Sequence, residues 1–207
     1  MTGETAGHDR AAPAFTFSAE NLKAARDVIA KYPEGRQASA VMPLLDLAQR
    51  QNGGWLSPAA IEYIADFLEM PRIRVWEVAT FYTMYKLEPV GRHHVQVCTN
   101  LPCWLRGSDA ILGTCREHLG IRVGETSEDN LFTLSEVECL GACVNAPMMQ
   151  IGDDYYEDLS PDSVRAILDD LRAGGTPKPG SQIGRRSCEP VEMPDPATGT
   201  DGGDGGV

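Results

Sequence analysis

The sequence predicts an α+β chain: a small N-terminal helical bundle, then a mixed α/β domain carrying two cysteine pairs. Three observations predict it. Through about the first ninety residues, apolar side chains recur at helical spacing between caps and breakers. From His93 the period changes to two, in four short segments that end in one amphipathic helix. Within that second region sit Cys98 and Cys103, spaced C-x4-C, and Cys139 and Cys143, spaced C-x3-C, with 35 residues between the pairs.

Composition narrows the class. The 207 residues allow one or two domains with a genuine core, at 42% hydrophobic and 23% charged. A net charge of −12 argues against nucleic-acid binding, which wants a basic face. No run approaches the 18 or more apolar residues of a transmembrane helix, so direct membrane insertion is not expected. The start, MTGETAGHDRAAPA, is neither a signal peptide nor an Arg-rich transit peptide, so a cytoplasmic chain is expected. There thiols stay reduced, and clustered cysteines favour metal over disulfides.

Residues 1–17 are expected to be disordered, and 18–88 to form the bundle. Ser18 caps a first helix over 18–32, with Leu22, Ala25, Ile29 and Tyr32 on one face. The second, over 37–51, carries Val41, Leu44, Leu45 and Ala48 and stops at Gly53 and Gly54. Ser57-Pro58 opens a third over 58–69, with Ile61, Ile64, Ala65 and Leu68 inward. A fourth, over 71–85, places Val75, Val78, Ala79 and Tyr82 inward. Trp55, Trp76, Tyr82 and Tyr85 read as core or interface rather than a cofactor site. Nine basic and nine acidic residues balance over 18–92, which suits a scaffold or docking surface.

Pro89-Val90-Gly91 is the hinge, and the second domain spans 92–176. HHVQVC is a strand ending at the first thiol. The residues after Cys103, WLRGSDAILGTCREHLG, read as one helix whose N-terminus faces the thiols. Ile111, Leu112, Cys115 and Leu119 share its inner face, so Cys115 reads as a buried hydrophobe. FTLSEVEC is the second strand, and MMQIGDDYYED a hairpin turning at Gly152-Asp153-Asp154. Ser160-Pro161 opens a last helix buried through Val164, Ile167, Leu168 and Leu171. This order, strand–helix–strand–strand–strand–helix, is thioredoxin-like, with a parallel first unit and an antiparallel hairpin. Pro147 stands before the third strand, where such folds commonly carry a cis-proline. The redox C-x-x-C dithiol is absent. From 177 onward proline and glycine dominate, and an extended or disordered tail is expected to dock on a partner. Lys178, Arg185 and Arg186 form its basic spot, and Cys188 a lone tail thiol.

Thiolates select zinc, Cu(I) or iron–sulfur clusters. Structural zinc favours C-x2-4-C pairs about 12–20 residues apart, whereas C-x4-C also opens the plant-type [2Fe–2S] pattern. A [2Fe–2S] cluster, zinc, and a disulfide or free thiols therefore all remain open on spacing. The small residues Gly141 and Ala142 let backbone N–H groups approach cluster sulfur. His93, His94 and His118 lack a thiol or carboxylate partner at ligand spacing.

The stretches TFYTMYKLEPVGRHHVQVCTNLPCWLRGSDAIL and LFTLSEVECLGACVNAPMMQIGDDYYEDL resemble the NuoE family, the twenty-four-kilodalton subunits of respiratory complex I. The resemblance runs from about Phe15 to about Pro190. It implies the same thioredoxin-like fold, and one [2Fe–2S] cluster held by Cys98, Cys103, Cys139 and Cys143. The implied chain is an electron-transfer subunit of NADH:quinone oxidoreductase, not catalytic alone. FMN and NADH belong to a partner flavoprotein subunit, and a large iron–sulfur subunit of the same module is a second partner. No GxGxxG or P-loop here supplies a nucleotide site. The complex would lie peripherally on the inner face of a bacterial cell membrane. Two alternatives stand beside it: the equivalent subunit of an NAD-linked formate dehydrogenase or bidirectional hydrogenase, and a zinc-stabilised interaction module.

Charge is uneven. Residues 93–176 hold five arginines, no lysine and fourteen acids, and from Gly124 to Cys143 there are five acids and no base. Glu138, beside Cys139, is the acid expected to weigh most against adding an electron at these thiols.

Overall fold

The computed structural model describes residues 14–186, in two compact units divided between Arg92 and His93. In the first, α1 (Ala19–Ile29) begins at Ser18, whose hydroxyl accepts the Asn21 N–H. A single 3-10 turn (Gln37–Ala40) leads into α2 (Val41–Gln51). Ser57 caps α3 (Pro58–Phe67) by accepting the Ala60 N–H, with proline at the first helical position. Helix α4 (Arg72–Phe81) completes the bundle around Leu44, Leu45, Leu56, Ile61, Ile64 and Val75.

The bundle departs from its sequence pattern at both ends. Phe17 is buried and meets Phe15, Tyr63 and Phe67 edge to face, so the core begins before residue 18. The Gln51 side chain fastens this entry, donating to Thr16 O and accepting the Ser18 N–H. Helix α4 stops at Phe81 rather than 85. Thr80 turns its hydroxyl back onto Trp76 O, and Tyr82 and Thr83 are poor helix formers. Tyr82 is therefore exposed, and Tyr85 takes the buried place, donating to Met42 O at 2.9 Å.

The second unit is a five-stranded sheet in the order β2-β1-β3-β4-β5. Strands β1 (His93–Cys98) and β2 (Phe132–Val137) run parallel, joined through α5 (Leu101–Leu105) and α6 (Ser108–Leu119). Strand β3 (Met149–Ile151) is antiparallel to β1 and forms a hairpin with β4 (Asp154–Glu157). Helix α7 (Pro161–Arg172) starts from a Ser160–Ser163 capping box and packs on α6. Between helices and sheet lie Val95, Val97, Ile111, Cys115, Phe132, Leu134, Ile167 and Leu168. The thioredoxin-like order is thus present, and the Ala146–Pro147 bond is cis.

Two features correct the sequence reading. The helix after Cys103 is two helices, because Gly107 sits at φ 92°, a left-handed conformation that glycine adopts without strain. Cys103 lies inside short α5, so it is not the residue that starts the long helix. The tail from 177 also does not simply leave the domain: Gly180–Ser181 is β5, parallel to β4 at the sheet edge. The expectations for residues 1–13, for Cys188 and for the end of the tail lie outside the described residues.

Candidate metal centre

Strand β1 delivers Cys98 to its end, where the Cys98 N–H donates to Met148 O at 3.2 Å. Five residues on, α5 turns Cys103 back to the same place. Both thiols are buried against Ala146 and Met148, and they are hydrogen-bonded to each other. Strand β2 ends two residues before Cys139, and the loop that follows carries Cys139 and Cys143 with their sulfurs 3.3 Å apart. These two are exposed. Cys143 is close enough to raise the thiol pKa of Cys103, and Cys98 close enough to raise that of Cys143. The topology therefore brings all four predicted residues to one end of the sheet.

Hydrogen bonds hold the two thiol loops together. Thr99 donates its hydroxyl to Glu136 at 2.6 Å, and the Asn100 amide donates to Glu138. Asn100 also accepts the Leu101 N–H with its side-chain oxygen, at the start of α5. Tyr155, on β4, donates its hydroxyl to Leu140 O at 2.9 Å, inside the second loop. Acids counted in the sequence as a field around the site are thus partly structural links.

The thiols are electrostatically unlike. Burial first, then the bond to Cys98, pushes Cys103 up to about 12, opposed by the Met148 N–H. Cys139 is lowered, chiefly by the Gly141 N–H and next by Cys143, while Glu138 acts the other way. Cys143 is raised, first through its bond to Cys139. Gly141 reaches Cys139 from φ 84°, where a side chain would be strained. This is the close backbone approach that the small residues of CLGAC predict.

The donor set fits a binuclear iron–sulfur group. Four thiols lie as two close pairs, with backbone N–H groups aimed at sulfur in each. Among the described residues no three Cys, His, Asp or Glu side chains converge as a single-ion site. A binuclear cluster takes two thiolates on each iron, which is the pairing the four residues present. Cys115 is buried in the other core, under the sheet, and burial pushes its thiol up to about 12. His118 instead meets Asp169 across α6 and α7 at 2.7 Å. His94 bonds to Ser135.

A family model described as thioredoxin-like [2Fe-2S] ferredoxin matches residues 25–172. The NuoE-type subunit of NADH-quinone oxidoreductase from Rickettsia bellii (strain RML369-C) is 62% identical over 158 residues, covering 76% of this chain and 95% of that protein. The chain belongs to this NuoE family of thioredoxin-like [2Fe–2S] proteins. Members carry one [2Fe–2S] cluster, and the zinc-module reading loses its support. The mitochondrial NADH dehydrogenase [ubiquinone] flavoprotein 2 of Dictyostelium discoideum is 52% identical over 175 residues, covering 84% of this chain and 71% of that one. The crystal structure of an NAD+-reducing [NiFe]-hydrogenase in the air-oxidised state aligns at TM-score 0.55 and 18% identity, covering 63% of this chain and 23% of that chain. At that identity the likeness concerns fold alone.

Two features of the site were not legible in the sequence. The Thr99–Glu136 and Asn100–Glu138 links join residues nearly forty positions apart, and polar pairs of that separation leave no periodic signal. The contact of Arg185 with the second thiol loop leaves no such signal either: the residue reads as part of a basic spot docking on a partner, yet it donates to Val144 O at 2.6 Å.

Proposed function

We propose that this chain is the electron-transfer iron–sulfur subunit of an NADH-oxidising module of NADH:quinone oxidoreductase. One [2Fe–2S] cluster is held by Cys98 and Cys103 from one side and by Cys139 and Cys143 from the other. The observation that carries the reading is the meeting of two thiol pairs, one buried and one exposed, in a chain 62% identical to a NuoE protein. When bound, the cluster supplies reversible one-electron acceptance. The chain's own residues do the rest. Cys98 and Cys103 anchor the site in the sheet, Met148 and Gly141 direct N–H groups at sulfur, and Thr99 and Asn100 fix the loops.

The partners follow from what this chain lacks and exposes. No dinucleotide or flavin motif was found in the sequence, so NADH and FMN are assigned to a flavoprotein subunit. Exposed apolar side chains adjoin the thiols along the chain: Leu101 (61% exposed), Trp104 (53%), Leu105 (68%) and Val144 (49%). Three of them lie on α5 beside Cys103 and the fourth follows Cys143, and together they offer the flavoprotein an apolar surface next to the thiols. The large iron–sulfur subunit is the second neighbour, and the helical unit, with Phe81 and Ile73 exposed, offers it a docking face. No helix among the described residues is long and apolar enough to cross a membrane, which supports attachment to the membrane through the complex.

The test is freeze-quench EPR on the purified complex mixed with NADH. A binuclear cluster signal assigned to this chain should appear within turnover, and the isolated loaded chain should be reduced by dithionite but not by NADH. A colourless zinc-containing chain in the complex, or NADH reduction of the chain alone, would overturn the reading.

A further inference from the structure

The segment after α7 returns to the thiol site. It is held there by Asp158, just after β4, whose side chain is only 4% exposed and whose backbone is left-handed at φ 53°. Its carboxylate accepts from Ser181 Oγ at 2.7 Å, from Arg185 Nη2 at 2.7 Å and from Arg185 Nε at 3.2 Å. The Arg185 N–H in turn donates to Ser181 Oγ at 2.9 Å. The same Nη2 donates to Val144 O at 2.6 Å, and Val144 directly follows Cys143. One residue further, Asn145 O accepts the Asp158 N–H at 2.7 Å, and the Asn145 amide donates to Glu157 at 2.7 Å. Two successive residues behind Cys143 are thus fastened to β4 and to the tail.

We propose that Arg185 is a positioning residue for the exposed thiol pair. It clips the Val144 carbonyl to the buried Asp158 carboxylate, and so fixes the backbone that carries Cys143; this rests on the cluster assignment above. Cys139 and Cys143 are exposed; Leu140 and Ala142 between them pack on the core that buries Cys98 and Cys103, whereas Val144, after Cys143, is exposed and tied down by this link. A guanidinium suits the task because its planar fork reaches a carboxylate and a carbonyl at once, which a lysine ammonium cannot do in one geometry. Removing it leaves a buried carboxylate with the weaker Ser181 hydroxyl and frees the carbonyl beside Cys143. Arg185 is half exposed on an edge segment, outside the core, so its variants should fold.

The experiment compares Arg185→Gln, Arg185→Lys and Arg186→Gln in the full-length chain. Arg186 is the adjacent, exposed cation, so its variant makes the same charge change without touching Val144. In the metal-free chain, hydrogen exchange of the amides at 143–146 should speed about ten-fold in Arg185→Gln, as expected for losing charged hydrogen bonds. It should rise less in Arg185→Lys and stay unchanged in Arg186→Gln. In the cluster-loaded chain, Arg185→Gln should alter the reduced EPR line shape and hasten cluster loss to a chelator several-fold, with partial rescue by lysine. Equal behaviour of Arg185→Gln and Arg186→Gln would overturn the proposal, as would faster exchange with an unaltered EPR spectrum. Failure of the wild-type chain to take up a [2Fe–2S] cluster would overturn the cluster assignment and its EPR arm, while the exchange result would still decide the clip itself.

Discussion

Cys98 and Cys103 are buried against Ala146 and Met148 at the end of a central strand, whereas Cys139 and Cys143 are exposed on a loop. The first pair is placed by sheet and core. The second sits on a loop that packs Leu140 and Ala142 on that core but leaves its own thiols exposed, held by backbone N–H groups and polar links to Thr99, Asn100, Tyr155 and Arg185. The contrast teaches how such a site divides its tasks. The buried pair gives a fixed reference that water does not reach, and the exposed pair is left open to solvent. Burial also opposes the thiolate form of Cys103, whose thiol is pushed up to about 12, so there the metal has to hold the charge.

The largest expected difference is chemical reactivity. In the metal-free chain at about pH 8, Cys139 should be alkylated about a hundred-fold or more faster than Cys103, because only the thiolate attacks. Cys139 is exposed and lowered; Cys103 is buried and raised. Peptide mass spectrometry on a timed iodoacetamide series reads the order. Equal rates at the two residues would break the contrast.

Stability should divide the same way. Serine at Cys98 or Cys103 places a hydroxyl in a buried site and should lower the stability of the metal-free chain by about 1–3 kcal/mol. Serine at Cys139 or Cys143 should change it by less than about 0.5 kcal/mol, as at other exposed positions. Denaturant unfolding checks both; comparable losses at all four would show the second pair to be core as well.

How far the sequence reaches follows the same line between local and distant. The cysteine spacing, the caps at Ser18, Ser57 and Ser160, and the alternation of HHVQVC are local patterns, and each marks an element that is present. So is Cys115, whose helical spacing predicts the burial observed. The break at Gly107 was hidden because apolar spacing runs on across it. Strand β5 has two residues and no alternation to reveal it. Tyr82 falls outside the core because α4 stops at Phe81, short of the point to which helical periodicity carries it. The Arg185–Asp158 pair joins residues 27 apart, which no local pattern encodes.

Cys115 sharpens the comparison as a buried thiol outside the site. Burial raises it to about 12, above its unfolded value, so its contribution to stability is complete below the unfolded pKa. That contribution is lost as pH climbs through the alkaline range toward 12. Cys115→Ala should therefore flatten the stability decline of the metal-free chain above about pH 9. A decline as steep as in the wild type would place the alkaline loss elsewhere, with Tyr85, also raised to about 12, the first candidate.

The smallest expected effect is at Glu138. Its charge opposes negative charge on Cys139, but it is exposed, bonded to Asn100, and outweighed there by the Gly141 N–H. Glu138→Gln should raise the reduction potential slightly, and by more at low salt than at high. A redox titration showing no shift, or a downward one, would leave hydrogen bonding and exposure in control.

The central claim is that four thiols, taken two by two, hold one binuclear cluster. Its most direct test is EPR of the dithionite-reduced full chain, with iron and sulfide analysis, across five serine variants. Wild type should hold two irons and two labile sulfides per chain, as a binuclear cluster requires, and give a [2Fe–2S] signal. Serine at Cys98, Cys103, Cys139 or Cys143 should abolish or strongly alter that signal, and serine at Cys115 should leave it intact. An unaltered signal in any of the four variants, or its loss in the Cys115 variant under native conditions, would contradict the account.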